Sequence, residues 1–167
     1  MSRATSIGLA ITGAILAVAV VAFFFRPSPE PGAITGADRA EEAREFIADA
    51  RDDTGPESYA EAYERAREFQ QSGQLADAQV LYFYAARGGH AGAEFELATM
   101  NDPNHHASET SLLAKPDAFQ AYKWYSAARD HGSNQAQARL DALHDWALQA
   151  ASAGDSEAER LLLQWAQ

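Results

Sequence analysis

Hydrophobic and polar positions are distributed very unevenly along this chain of 167 residues. Residues 7–25 read IGLAITGAILAVAVVAFFF and contain no charged side chain. As a helix that rises about 1.5 Å per residue, this run would span roughly 28 Å, close to the hydrocarbon thickness of a bilayer. The pattern therefore predicts a transmembrane helix at residues 7–25, preceded by a short cytoplasmic tail at residues 1–6.

A cleavable signal peptide is the main alternative for this apolar run. The run is longer than the usual apolar core of a signal peptide, which is about 7–15 residues, and no clear small-x-small cleavage site follows it. A buried core helix is less favoured because such helices usually keep a polar stripe. Arg3 and the amino terminus outweigh Arg26, which Glu30 soon follows, so the positive-inside rule places the N-terminus in the cytoplasm. A single-pass protein of the bacterial inner membrane, with its C-terminal domain in the periplasm, is expected.

The rest of the chain predicts a spacer and an all-α domain. In residues 26–37, alternating prolines favour an extended chain without internal hydrogen bonds. In residues 38–167, apolar side chains recur at helical spacing and no alternating strand pattern occurs. Asp38 is expected to cap the first helix, at residues 39–52. Residues 101–116 form the one long predicted loop.

An internal repeat is the strongest pattern in residues 38–167. Residues 78–100, shifted by 43 positions, align with residues 121–143, and a partial third copy starts at Trp146. The shared pattern is [LW]-x3-A-x3-G-x3-A-x3-L, with Tyr after the first position in two copies. Spacings of four keep residues on one helix face, alanines let two helices approach closely, and glycine ends the first helix. The defining positions are Leu81, Tyr82, Ala85, Gly89, Ala93, Leu97, Trp124, Tyr125, Ala128, Gly132, Ala136, Leu140, Trp146, Gly154, Ala158 and Leu162.

The two clear copies, AQVLYFYAARGGHAGAEFEL from Ala78 and AYKWYSAARDHGSNQAQARL from Ala121, resemble Sel1-like repeats, relatives of the tetratricopeptide repeat. Clear repeats lie at about 75–100 and 117–145, and a partial one lies at 146–166. The third copy follows the second so closely that its first helix is expected to continue from the preceding helix. The resemblance implies a short α-solenoid that mediates protein–protein contacts and complex assembly, and it implies no catalytic residue.

Composition excludes several functions. The chain has 24 acidic residues against 13 Lys and Arg, which disfavours nucleic-acid binding. It has no cysteine, which excludes disulfides, thiol catalysis and Cys-ligated zinc. No nucleotide-binding or hydrolase motif occurs, so we expect no cofactor and no catalytic residues.

Histidines and acidic pairs are expected to be structural. His105 and His106 lie in the predicted loop, whereas a metal site needs three or four ligands that converge from fixed positions. His131 is expected to meet the dipole at a helix end. Glu94 and Glu96 are expected on a solvated face or at a helix end, where acid–base catalysis has no support, and no metal site is predicted.

Four aromatic residues exceed what the repeat pattern needs for its core. They are Phe83 and Tyr84 in helix 75–87 and Phe119 and Tyr122 in helix 117–131. Aromatic side chains on the concave surface of a solenoid could anchor a partner protein. The alternative is that they pack against helices 39–52 and 57–72, or against each other.

These patterns predict a non-catalytic, membrane-anchored adaptor that recruits another protein at the cell envelope and contacts the lipid bilayer through residues 7–25. The alternative is an extracytoplasmic hydrolase that acts on cell-wall material. A convergent carboxylate pair or a Ser/Lys pair in a concave pocket would favour the enzyme. A groove lined by aromatic and amide side chains would favour the adaptor.

Overall fold

The computed structural model describes residues 40–50, 55–107 and 112–166. The predicted tail 1–6, transmembrane helix 7–25 and spacer 26–37 all lie outside these residues. Among the helices that the model describes, none is long and apolar enough to cross a membrane. The described residues contain helices and no strand, so the predicted all-α class is confirmed for this part of the chain.

Seven α-helices and a final 3-10 helix account for most of the described residues. Their bounds are α1 Glu41–Asp49, α2 Pro56–Ser72, α3 Leu75–Arg87, α4 Ala91–Asn101, α5 Ala118–Asp130, α6 Ala136–Ser152, α7 Ser156–Leu162 and the 3-10 helix Leu163–Ala166. From α2 onward, each helix packs on the next one in the chain, and α1 packs on α3. The two clear sequence copies therefore correspond to the hairpins α3–α4 and α5–α6.

The three repeat glycines occupy equivalent turns. Gly89, Gly132 and Gly154 have φ values of 80°, 97° and 92°, in the left-handed region that favours glycine. In each turn the N–H of the following residue donates to the carbonyl of the alanine four positions before the glycine. These bonds are His90 to Ala85 at 3.1 Å, Ser133 to Ala128 at 2.7 Å and Asp155 to Ala150 at 3.0 Å. The shared turn is a Schellman motif, which explains why glycine recurs at this place in the pattern.

Replacing Gly89 by valine is expected to lower the free energy of unfolding by about 1–2 kcal/mol, because the left-handed conformation brings a Cβ close to the backbone and valine is branched there. Thermal unfolding followed by circular dichroism measures the change. Arg87→Val, two residues earlier at an exposed helical position, serves as the control. A melting temperature for Gly89→Val equal to that of the wild type would contradict the assigned turn.

The core is built from the repeat positions. Tyr82 and Tyr125, which occupy the same place in the two clear copies, are both fully buried. The Tyr82 hydroxyl donates to Gln70 Oε1 at 2.5 Å, and the Tyr125 hydroxyl donates to Asp102 Oδ2 at 3.1 Å. The other buried repeat positions are Leu81, Ala85, Ala93, Leu97, Ala128, Ala136, Leu140 and Ala158. Trp124 is half-buried and contacts both apolar clusters of the domain, so it joins the two hairpins.

The partial third copy follows the predicted continuation of its first helix but departs from the pattern in α7. Trp146 lies inside α6, which runs without a break from Ala136 to Ser152, so the second helix of one copy also serves as the first helix of the next. In α7, Leu161 is fully buried whereas the predicted position Leu162 is only half-buried. This helix has only seven residues and passes directly into the 3-10 helix.

The first helix begins later than the sequence pattern predicts. Its N-cap is Ala40, which has a φ of 60° and offers no side-chain cap, and the predicted capping residue Asp38 lies outside the described residues. The cap comes instead from α3, where the buried Asp77 accepts a hydrogen bond from the N–H of Ala43 at 2.9 Å. Because a carboxylate is favourable at a helix N-terminus, Asp77 attaches α1 to α3.

Candidate functional site

An open groove of about 330 Å³ lies between α3, α5 and the segment 112–117. We call it the aromatic groove. Its lining residues are Gln79, Phe83, Asn101, Leu113, Lys115, Pro116, Asp117, Gln120 and Trp124. The groove thus lies between the first helices of the two clear hairpins.

Phe83 and Trp124 form the apolar floor of this groove. Their ring centroids are 5.9 Å apart, and the rings meet edge to face at 61°. Phe83 keeps 40% of its surface exposed and is the one aromatic residue among the exposed large apolar side chains of the described chain. Its neighbours Leu81 and Tyr82 take the core positions of α3, so the helix geometry turns Phe83 outward.

Of the other three predicted binding residues, two make contacts inside the domain. The Tyr84 hydroxyl lies 3.2 Å from Ser58 Oγ, and its ring centroid is 5.3 Å from that of Tyr59 on α2. The Tyr122 hydroxyl donates to the carbonyl of Gln164 at 3.1 Å, and its ring packs edge to face on Trp165. Phe119 is half-buried and is not among the residues that line the aromatic groove. The structure therefore brings Phe83 to the groove and leaves these three residues outside it.

Amide side chains lie beside the aromatic floor. Gln79 stands one turn before Phe83 on α3, and Gln120 stands one turn before Trp124 on α5. The third amide, Asn101, is buried, and its Nδ2 donates to the carbonyl of Leu97 at 2.8 Å. An amide carries both donors and an acceptor, so Gln79 and Gln120 can pair with the main chain of an extended peptide.

The wall formed by residues 112–117 is fixed at its end. Asp117 caps α5 because its Oδ1 accepts the N–H groups of Phe119 and Gln120 at 3.0 and 3.1 Å. The backbone N–H of Asp117 also donates to the carbonyl of Asn101 at 3.0 Å, which ties the end of this segment to the end of α4. This wall carries Lys115 and Pro116.

A second groove of about 390 Å³ lies between α1 and α2, and we call it the acidic groove. Its lining residues are Glu42, Glu45, Phe46, Glu61, Glu64, Arg65 and Glu68. All five carboxylates are exposed. Arg65 pairs with Glu68 at 3.0 Å and Arg67 pairs with Glu64 at 3.1 Å.

Glu94 lies in the first turn of α4, at a predicted helix end, but neither Glu94 nor Glu96 lies on a solvated face. Glu94 is 2% exposed, and its two carboxylate oxygens lie 2.9 and 3.0 Å from Nδ1 of His131. Glu96 is half-buried. The reason is that α4 packs on α3 on one side and on α5 on the other, so only a narrow strip of its surface meets solvent. His131 does cap the end of α5, as expected, and its ring also links that end to α4.

The histidines at the start of the long loop make defined contacts. Nδ1 of His106 lies 2.8 Å from the carbonyl of Met100, and Nε2 of His105 contacts the side chain of Arg139. Asp102 is fully buried and accepts the N–H of Asn104 at 2.8 Å in addition to the Tyr125 hydroxyl. This part of the loop is therefore built into the domain and is not simply solvated. Within the described ranges, no three His, Asp or Glu side chains cluster as metal ligands.

Replacing Glu96 by glutamine is expected to raise the free energy of unfolding at pH 7. Burial raises the pKa of Glu96, against the opposing effect of Arg67 and Arg139. The ionised carboxylate is thus disfavoured in the folded state, and this cost exists only where the unfolded carboxyl is ionised, above about pH 4.5.

The gain in melting temperature of Glu96→Gln should therefore shrink as the pH falls from 7 to 4. Thermal unfolding across this range measures it, with the exposed Glu61→Gln as the matched control. A gain that is equally large at both ends of the range would contradict the role of burial.

No known family model, curated protein or solved structure matches this chain. Function is therefore inferred from the geometry of the chain itself.

Proposed function

We propose that this protein is a membrane-anchored, non-catalytic adaptor that recruits another protein through the aromatic groove. The observation that carries the proposal is the groove's composition, with two aromatic side chains on its floor and three amides beside them. Buried aromatic anchors dominate the energy of protein interfaces, and amides at the edge can satisfy an extended backbone.

The position of the groove also supports a binding role. It lies between the first helices of two consecutive hairpins, the surface on which solenoid proteins of the Sel1-like kind dock their partners. In this proposal, residues 75–166 act as a short solenoid of that kind and mediate the assembly of a complex. Phe83 keeps 40% of its surface exposed even though its ring contacts Trp124, and a smaller or polar residue could occupy this outward position of α3.

The membrane anchor is the second part of the proposal. Residues 7–25 would hold the protein in the inner membrane, and the spacer 26–37 would keep the helical domain away from the bilayer on the periplasmic side. Confinement to a membrane raises the effective concentration of the groove toward partners on the same surface. The acidic charge of residues 38–167, with 23 acidic and 11 basic side chains, disfavours docking of the domain itself on anionic lipid.

The hydrolase alternative would be located in the acidic groove, where five carboxylates converge on a concave surface. An acid–base pair needs one carboxyl held protonated beside one held ionised, which requires burial or close coupling. These carboxylates are exposed, and Glu64 and Glu68 are paired with arginines. The adaptor is therefore the better supported function.

Membrane association is tested by removing residues 1–26. The full chain is expected to sediment with the membrane fraction and to resist extraction by alkaline carbonate, whereas the shortened chain should be soluble and helical by circular dichroism. A reporter fused after Gln167 gives the side of the membrane on which the domain lies. A full chain that stays soluble, or a reporter active only in the cytoplasm, would contradict the proposed location.

Recruitment is tested with a photo-crosslinking amino acid at position 83 in living cells. A specific crosslink to another protein is expected from position 83. The matched control is position 148, because Leu148 is also an exposed apolar residue, 48% exposed, and lies outside both grooves. Equal crosslinking from both positions, or none from position 83, would contradict a role of the groove in recruitment.

A further inference from the structure

We infer that the aromatic groove selects an extended segment of another protein in which an apolar side chain is flanked by carboxylates, with Lys115 and Lys123 recognising the carboxylates. The inference rests on the proposed adaptor function and adds the chemistry of the partner.

Charge is segregated among the helices of this acidic domain. Helices α1 and α2 together carry eight acidic and three basic residues. Helices α3 and α5, which flank the aromatic groove, carry two acidic and three basic residues. One of the two acids, Asp77, is buried and engaged at the start of α1. The groove is therefore bordered by helices whose charge is opposite to that of the chain as a whole.

The lysines show the same bias more sharply. The chain contains only two lysines, of which one lines this groove and the other contacts a ring of its floor. Lys115 lines it, and Nζ of Lys123 lies 5.6 Å from the centroid of the Trp124 ring that forms its floor. Both side chains are exposed, so their ammonium groups are accessible to a ligand. The only nearby acid among the lining residues is Asp117, whose Oδ1 already accepts two backbone N–H groups of α5.

These contacts define the shape of the ligand. The apolar side chain of the partner would contact Phe83 and Trp124, where the floor is least polar. Its main chain would pair with Gln79 and Gln120, which stand one helical turn from the two aromatic rings. Acidic side chains beside the apolar one would reach the two ammonium groups. Such rim charges act mainly on the rate of association and on specificity, and salt screens them.

A basic segment seated in the acidic groove is the competing outcome, and the same experiment detects it. Random peptides displayed on phage are selected on the full-length chain, with Phe83→Ser run in parallel to remove sequences that do not need the aromatic groove. Phe83-dependent peptides are expected to combine an aromatic or branched aliphatic residue with neighbouring Asp or Glu. Phe83-dependent peptides that lack acidic enrichment would overturn the inference and leave the adaptor proposal standing.

Synthetic versions of the selected peptides then test the lysines by fluorescence anisotropy. The double variant Lys115→Glu/Lys123→Glu should lower the affinity about tenfold, and added salt should no longer weaken the binding because it then screens a repulsion. Arg160→Glu changes the net charge in the same direction from an exposed site on α7, and it should change the affinity less than twofold. Lys115→Glu alone makes the same change in net charge as Arg160→Glu. If these two single variants lose the same affinity, the effect is one of net charge, and the inference is overturned.

The double variant Lys115→Gln/Lys123→Gln removes the two charges without reversing them, and it is used in case the charge reversal disturbs folding. It should lower the affinity about threefold. An unchanged affinity in this variant would also overturn the inference. Selection that yields no Phe83-dependent peptide, or only Lys-rich and Arg-rich peptides unaffected by Phe83→Ser, would overturn both the inference and the use of the aromatic groove for recruitment.

Discussion

Replacing Leu97 by alanine is expected to lower the free energy of unfolding by about 2–5 kcal/mol. Leu97 is 1% exposed and belongs to the larger apolar cluster, which contains the hairpin α3–α4 and its contacts with α1 and α2. Because the surrounding backbone is held by four helices, it can close only part of the cavity that alanine leaves. Chemical denaturation measures the loss from the shift in midpoint.

The repeat supplies a matched comparison for this change. Leu140 occupies the equivalent place in the second copy and is 2% exposed, so Leu140→Ala should cost a similar amount. Leu148 lies on the same helix as Leu140 but is 48% exposed, and Leu148→Ala should change the stability by less than about 0.5 kcal/mol. A large loss from Leu148→Ala, or a loss below about 1 kcal/mol from Leu97→Ala, would contradict the assignment of these faces.

Replacing Gly88 by alanine is expected to cost about 1–3 kcal/mol by overpacking. A Cβ at this position would overlap the ring of Tyr59, which lies against the end of α3. Gly88 has an ordinary φ of −84°, so the penalty comes from contact and not from backbone conformation. Thermal and chemical unfolding of the variant measure it.

Two further variants separate contact from conformation. At Gly132 a Cβ would meet no atom within 4 Å, but the φ of 97° is unfavourable for alanine, so Gly132→Ala should cost about 1 kcal/mol for conformational reasons alone. In a Tyr59→Ala background, the cost of Gly88→Ala should largely disappear while the cost of Gly132→Ala should persist. An unchanged penalty at Gly88 in that background would show that the ring is not its cause.

Helical periodicity and glycine placement were enough to predict much of the helical domain. The turns at Gly89, Gly132 and Gly154 and the buried tyrosines Tyr82 and Tyr125 lie where the pattern predicts them. The turns depend on contacts over short separations in the chain, and the position of each tyrosine on the buried face depends on helical spacing, so local spacing carries the information. Phe83 could also be found in this way, because one helix face cannot bury five consecutive large side chains.

The aromatic groove could be predicted only in part. Two of the surplus aromatic residues, Tyr84 and Tyr122, are engaged with Tyr59 and Trp165, which are distant in the chain. In the sequence, these two residues look like Phe83, because all three are aromatic and exceed the needs of the repeat. Only the positions of α2 and of the C-terminal 3-10 helix show that Tyr84 and Tyr122 are covered. The sequence did not indicate a role for Lys115, because the segment 112–117 reaches the groove through the hydrogen bond between Asp117 and Asn101.

The amino-acid sequence alone determines which residues share a helix face and where each helix ends. These properties depend on backbone sterics and side-chain spacing, which act within a few residues. How many faces of a helix are covered depends on how helices stack. This explains why Glu94 is buried against His131, why Asp77 caps a helix other than its own, and why Gly88 is required beside Tyr59. Each of these contacts joins residues about 30 or more positions apart, and the stacking of helices brings them together.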